Sequence, residues 1–193
     1  MRVVVGVTGA SGAIYAHRVL RFLAEHATAL QLEAHLVFTK MGRLVYEEEI
    51  GVDPASYGFP LWNPNDMTAP FASGSARFDA MVVVPCSSGQ IGRIAHGLST
   101  DLVGRTADVM LKERRPLLLV HRESPLSLVH LRNLVTVTEA GAVVLPASPS
   151  FYSHPSDVTE LVDTVTSRIL DHLGIDNALM PRWVGRLRAG AKS

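Results

Sequence analysis

Five short apolar runs, Val3–Val7, Ala34–Thr39, Met81–Pro85, Leu117–His121 and Ala142–Pro146, constrain the fold more than any other feature of this chain. Each is apolar almost throughout instead of alternating with polar residues, the pattern of strands covered on both faces. Between them lie segments of helical rhythm. Ala13–Ala27 places Val19, Leu20 and Leu23 at helical spacing, and Leu102–Leu111, Leu126–Ala140 and Val158–Leu173 repeat it. Strand and helix alternating along the whole length predict an α/β fold: a doubly wound, Rossmann-like, mostly parallel sheet with helices on both faces, in a single domain.

A chain of 193 residues is long enough for one well-buried core. Residues 1–175 read as that domain and 176–193 as a C-terminal tail, carrying Arg182, Trp183, Arg186 and Arg188, that can cover the active site. Residues 51–75 break the rhythm, because prolines at 54, 60, 64 and 70 forbid a long helix. Such a segment is a surface connection or a lid over the ligand crevice. Hydrophobic residues make up 47% and charged ones 19%, which suits a two-sided sheet, a subunit that buries surface against copies of itself, or both. The formal net charge is zero and no basic stripe with interleaved aromatics appears, so nucleic acid is not an expected partner. One cysteine, Cys86, excludes an intrachain disulfide framework and fits a reducing compartment. With no leader pattern and no apolar run of membrane-spanning length, the expectation is a soluble cytoplasmic protein.

Three clusters carry the chemistry. The first is VVVGVTGASGAIY, residues 3–15, a strand entering a glycine turn that opens a helix. Gly6, Gly9 and Gly12 form GxxGxxG, which is neither the dinucleotide GxGxxG nor the P-loop GxxxxGK[ST]. The second strand ends Val37-Phe38-Thr39-Lys40 without the carboxylate that a nicotinamide ribose needs. A helix N-terminus beside the Ser11 hydroxyl still favours an anion, and a mononucleotide phosphate or ring edge fits.

The second cluster is VVVPCSSGQIG, residues 82–92, at a strand's carboxyl end, where open α/β sheets bind ligands. Its small uncharged groups suit the heterocycle or ribityl chain of a flavin. Cys86, directly after a valine run and without an adjacent histidine, reads as a buried thiol and not as a nucleophile. The third cluster spans residues 105–132. Lys112, Arg114 and Arg115 read as a solvated helix end that complements the dipole. Arg122 and Glu123 instead sit directly beyond an apolar strand, as an anion clamp beside an acid or base.

With these clusters in view, the chain resembles the flavin prenyltransferases, the UbiX/Pad1-like FMN-binding flavoproteins. The resemblance covers nearly the whole length. It is carried by GVTGASGAIYAHRVL, ASGSARFDAMVVVPCS, RTADVMLKERRPLLLVHRESPLSLVHLRN, EAGAVVLPASPSFY and SRILDHLG in that order. It implies transfer of a dimethylallyl group from dimethylallyl phosphate to N5 and then C6 of reduced FMN, without a metal. The product, prenylated FMN, serves a partner decarboxylase, and the enzymes are homo-oligomers, commonly dodecamers.

Residue roles follow from the resemblance. Gly9, Ala10, Ser11, Thr39, Ser87, Ser88, Gly89, Gln90 and Arg122 match flavin-contacting positions. Arg105, Lys112, Arg122, Tyr152 and Arg168 match those that hold the donor phosphate. Glu49 and Glu123 match the acid/base carboxylates, Ser11 a proton relay, and Trp183 an aromatic over the allyl group. Cationic and phenolic donors can stabilise a departing phosphate, an aromatic face an allyl cation, and a carboxylate can take the C6 proton. Lys112, Arg122 and Arg168 are therefore expected to converge over the flavin.

The chain departs from the family pattern in places. The usual PCS-x-KT is PCSSGQ, with Gly89 and Gln90 for lysine and threonine; FYHRP is Phe151-Tyr152-Ser153-His154-Pro155, without the arginine. GLSTDLVGR, residues 97–105, stands where G-x-SDNLLxR is common. Two alternatives are an FMN carrier or accessory subunit of an aromatic-acid decarboxylase, without prenyl transfer, and a relative of the FMN-dependent cysteine decarboxylases. The second would want a histidine in residues 50–95 and a P-x-SANT loop, and the chain has neither.

Overall fold

The computed structural model describes residues 1–182. Among these residues six strands and six α-helices follow in the order β1 (Arg2–Val7), α1 (Ala13–His26), β2 (Glu33–Phe38), α2 (Lys40–Ile50), β3 (Leu61–Trp62), β4 (Ala80–Cys86), α3 (Ser88–Ala95), α4 (Leu102–Lys112), β5 (Leu117–His121), α5 (Leu128–Glu139), β6 (Val143–Pro146) and α6 (Val158–His172). They form one sheet in the order β3-β2-β1-β4-β5-β6. Every neighbouring pair is parallel. This is the doubly wound arrangement that the five apolar runs predict.

Its cause is visible in the burial. All seven residues of β4 and all five of β5 are buried. Strands with two buried faces need helices on both, and each fully buried valine or leucine contributes about 1.5–3 kcal/mol. One core joins Val3, Val5, Leu36, Val82 and Val120 to α1 and α6 through Val19, Leu23, Val165 and Ile169. The other joins Val4, Val37, Met81, Val83 and Leu119 to α3, α4 and α5 through Ile91, Val103, Met110 and Val137. On the first face, Arg18 of α1 makes a two-pronged ion pair with buried Asp163 of α6, at 2.8 and 2.7 Å.

Residues 51–75 are not a lid. They contain three short 3-10 turns and β3, which extends the sheet beside β2. Phe71 is fully buried against Phe78, His35 and Trp62, and Pro64 O accepts from the Leu102 N–H at 2.7 Å. The prolines do forbid a long helix, but the aromatics between them close the second core. Helices α2 and α3 carry only brief apolar patterns in sequence, Met41, Leu44 and Val45 in one and Ile91 and Ile94 in the other. They start because Thr39 accepts from Gly42 N (3.0 Å) and Ser87 from Gln90 N (3.3 Å), each hydroxyl satisfying a first-turn donor. Arg115 is not part of a solvated helix end: it is half-buried and donates to Gly74 O at 2.7 Å. No helix among the described residues is long and apolar enough to cross a membrane.

Candidate active site

The strand order reverses between β1 and β4, so the loops leaving these two strands diverge and open a crevice at the carboxyl edge of the sheet. Thr8 braces it. Its buried hydroxyl donates to Pro85 O at 2.8 Å and accepts from Ser87 N at 2.9 Å, tying the end of β1 to the end of β4. The sequence reading did not single out Thr8; a hydroxyl directly after an unbroken valine strand was the available signal.

The N-terminus of α1 opens on this crevice, and the protein itself supplies the anion there. Gly12 occupies the left-handed region at φ 102° and brings no capping side chain. Instead Glu49, from the last turn of α2, accepts from Gly12 N at 2.9 Å and Ala13 N at 2.7 Å. These two N–H groups are therefore satisfied within the chain, at the helix end where the sequence suggests a mononucleotide phosphate or ring edge. Partial burial opposes the charge on Glu49. The Ser11 hydroxyl, the two N–H groups and the Arg122 guanidinium outweigh it and hold the carboxyl below the usual range.

Arg122 follows β5 and reaches back across the mouth, its Nε donating to Ser11 O at 2.9 Å. Among the described residues its guanidinium has no carboxylate within ion-pair distance. Glu123 beside it is held below the ordinary carboxylate range by the Ser124 N–H, then by the Ser88 hydroxyl, His130 and Arg122. Glu49, Ser11, Arg122 and Glu123 thus meet at one edge.

The remaining predicted flavin contacts divide. Gly9 and Ser11 are exposed at the rim, Gly89 faces open space, and half-buried Thr39 spends its hydroxyl on α2. Ala10, Ser88 and Gln90 are buried. Gln90 turns inward, its Oε1 accepting from Arg93 at 3.1 Å and its Nε2 beside Gly104. Cys86 is fully buried and burial pushes its thiol far up, so it is no nucleophile. An open rim of backbone, hydroxyls and one unpaired guanidinium fits an isoalloxazine and its polar chain.

The predicted phosphate-holding residues do not converge in one protomer. Arg105 is half-buried on α4, donating to Ala72 O at 3.0 Å and pairing with Asp108 at 2.9 Å. Lys112 ends α4 paired with Glu113. Because α4 runs back towards the start of β5, Lys112 lies at the opposite edge of the sheet from Arg122, about 16 Å away along the strand. Tyr152 and Arg168 line a separate cavity of about 790 Å³ between β6 and α6. There Asp171 holds Arg168 at 3.0 Å and Arg182 at 2.7 Å. Trp183 lies outside the described residues.

Comparison with known proteins agrees with this geometry. The profile of the Flavoprotein family matches residues 1–170. The chain is 40% identical over 186 residues to the flavin prenyltransferase UbiX of Methanocaldococcus jannaschii, covering 95% of this chain and 98% of that one. Its fold superposes with a TM-score of 0.89 on AnUbiX (PadA1) in complex with FMN and dimethylallyl pyrophosphate, at 43% identity over 95% of this chain and 97% of that one. A dodecameric FMN-dependent UbiX-like decarboxylase from Escherichia coli O157:H7 gives a TM-score of 0.91 at 39% identity, covering 96% and 100%. Sheet order, crevice and near-complete alignment together mean that this chain belongs to the flavoprotein family and, within it, to the flavin prenyltransferases of the UbiX type.

Proposed function

We propose that the chain transfers a dimethylallyl group from dimethylallyl phosphate to reduced FMN, producing prenylated FMN for a partner decarboxylase. The observation that carries this reading is the meeting of Glu49, Ser11, Arg122 and Glu123 at the β1/β4 crevice. FMN is held by the Gly9–Ser11 turn, the start of α3 and Arg122, and when bound it supplies the nucleophilic ring positions. Arg122, anchored through Nε, keeps both terminal nitrogens for a departing phosphate, which a fixed cation stabilises without reorganisation. Glu123, kept ionised, accepts the proton released from the ring.

The phosphate site is completed by neighbouring copies. In one protomer Lys112 ends α4 at the far edge of the sheet, Arg105 and Arg168 are paired with Asp108 and Asp171, and Tyr152 is 88% exposed. α5 also presents an outward apolar stripe of Leu128, Leu131 and Val135, as expected of a subunit interface. A solvent-filled, single-chain site would leave the leaving group held by one guanidinium.

The test is direct. Purified protein incubated anaerobically with reduced FMN and dimethylallyl phosphate should release a flavin heavier by one prenyl group, read by mass spectrometry. Flavin that binds and leaves unchanged would make the chain a carrier instead.

A further inference from the structure

Helix α2 carries Glu49, yet of its eleven residues only Gly42 and Tyr46 are buried. Apolar packing therefore holds it weakly, and Tyr46 is its one large buried side chain. The ring packs edge-on against Phe38 at 5.2 Å, and its hydroxyl enters a cluster of three polar groups. Tyr46 Oη lies 2.6 Å from Tyr57 Oη and 3.3 Å from His17 Nδ1, and Tyr57 Oη lies 2.6 Å from the same nitrogen. His17 belongs to α1. Tyr57 ends the 3-10 turn Pro54–Tyr57 after α2, whose capping Asp53 also pairs with Arg43 of α2 at 3.0 Å. Each hydroxyl has one hydrogen. One arrangement puts a hydrogen in both 2.6 Å contacts and gives each an acceptor inside the cluster: Tyr57 donates to Nδ1, and Tyr46 donates to Tyr57.

Glu49 follows Tyr46 by three positions and His17 follows Ala13 by four, spacings that put each pair on one side of its helix. The hydroxyl cluster thus ties α2 to α1 one turn away from where Glu49 accepts from Gly12 N and Ala13 N. We propose that His17, Tyr46 and Tyr57 are positioning residues for Glu49, fixing α2 against α1 so that the carboxylate stays on the first turn of α1 at the crevice. The inference rests on Glu49 acting in the proposed reaction. It also gives residues 51–57 a task beyond that of a connection, since they strap the end of α2 back onto α1. His17 is faced by Tyr46 of α2, by Tyr57 of the turn, and by Arg18 and Arg21 of its own helix. Burial, then the two arginines, keep its imidazole below the ordinary range and so able to accept. Across the crevice Glu49 is faced by Arg122, whose Nε is anchored on Ser11 O.

The experiment follows the amide proton resonances of Gly12 and Ala13 by NMR during a pH titration of the flavin-free protein. In the wild type both should shift as Glu49 takes up its proton. In Tyr46→Phe and Tyr57→Phe the size of that shift should fall by about half, and its midpoint should rise by about 0.5 on the pH scale, as the two N–H bonds to the carboxylate loosen. His17→Leu should act alike. His17→Asn, whose Oδ1 takes the place of Nδ1, should restore both values. In the same variants kcat for prenyl transfer should fall and recover in His17→Asn, with KM for dimethylallyl phosphate unchanged. A lowered urea midpoint with the Gly12 and Ala13 titration unmoved means packing alone and overturns the proposal. If Tyr46→Phe does not fold, Tyr57→Phe, at a half-buried position, decides by the same readout. A wild-type protein that makes no prenylated flavin sinks the transferase reading separately and leaves the titration result standing.

Discussion

Glu49 does two jobs that a sequence cannot display together. It was singled out as an acid/base carboxylate, and the fold uses it to cap α1 from 36 residues away. Its depressed pKa gives a signed prediction. A carboxyl whose folded pKa is lowered adds stability above its unfolded value, about 4.5, and that stability fades as pH falls through the folded value. Glu49→Gln should therefore have a lower urea midpoint than wild type at pH 7, with the gap closing below about pH 4.5. The variant should still bind flavin while prenyl transfer slows severely. Unimpaired turnover would remove Glu49 from the chemistry and leave only the cap.

At the scale of elements, the crevice depends on how closely α2 approaches the end of β1. A Cβ added at Gly42 would stand 2.3 Å from Val7 O, a backbone atom that cannot swing aside. Gly42→Ala should therefore cost roughly 2 kcal/mol or more despite the better helix propensity of alanine, because overpacking against backbone outweighs that gain. Urea denaturation within about 0.5 kcal/mol of wild type would show that α2 can shift outwards freely. The apolar strands β1, β2, β4 and β5 were legible in sequence because their burial on both faces removes polar residues; β6, an edge strand exposed at Val143 and Pro146, was legible from its apolar run although it is not covered on both faces. α2 and α3 were not legible, since each is short, starts from a hydroxyl cap and carries glycine, which weakens a brief apolar pattern. Thr8 was passed over for a related reason: it closes an apolar strand, and its hydrogen-bond partner is 77 residues away.

For the whole molecule, the proposed phosphate site, with Lys112 and Arg168 away from Arg122 in one chain, predicts that activity depends on assembly. Val135 is 56% exposed on the stripe of α5 that faces away from the core. Val135→Glu should leave the monomer fold and its circular dichroism intact while breaking the oligomer, because a carboxylate at an apolar interface loses its hydration without a partner. Light scattering and the mass-spectrometric assay should then fall together by tenfold or more. An active monomer would mean that a single chain gathers its own phosphate ligands.

The order of apolar runs and glycine turns by itself determined the doubly wound sheet and the edge on which chemistry sits, since burial on two faces and the reversal of strand order leave few topologies. Which of the marked residues share a site was decided by the tertiary structure alone. Helices return the chain to the far edge of the sheet, so cations close in sequence to the crevice, such as Lys112, end an entire strand length from it. Distance along the chain records composition; proximity in space depends on where each helix happens to end.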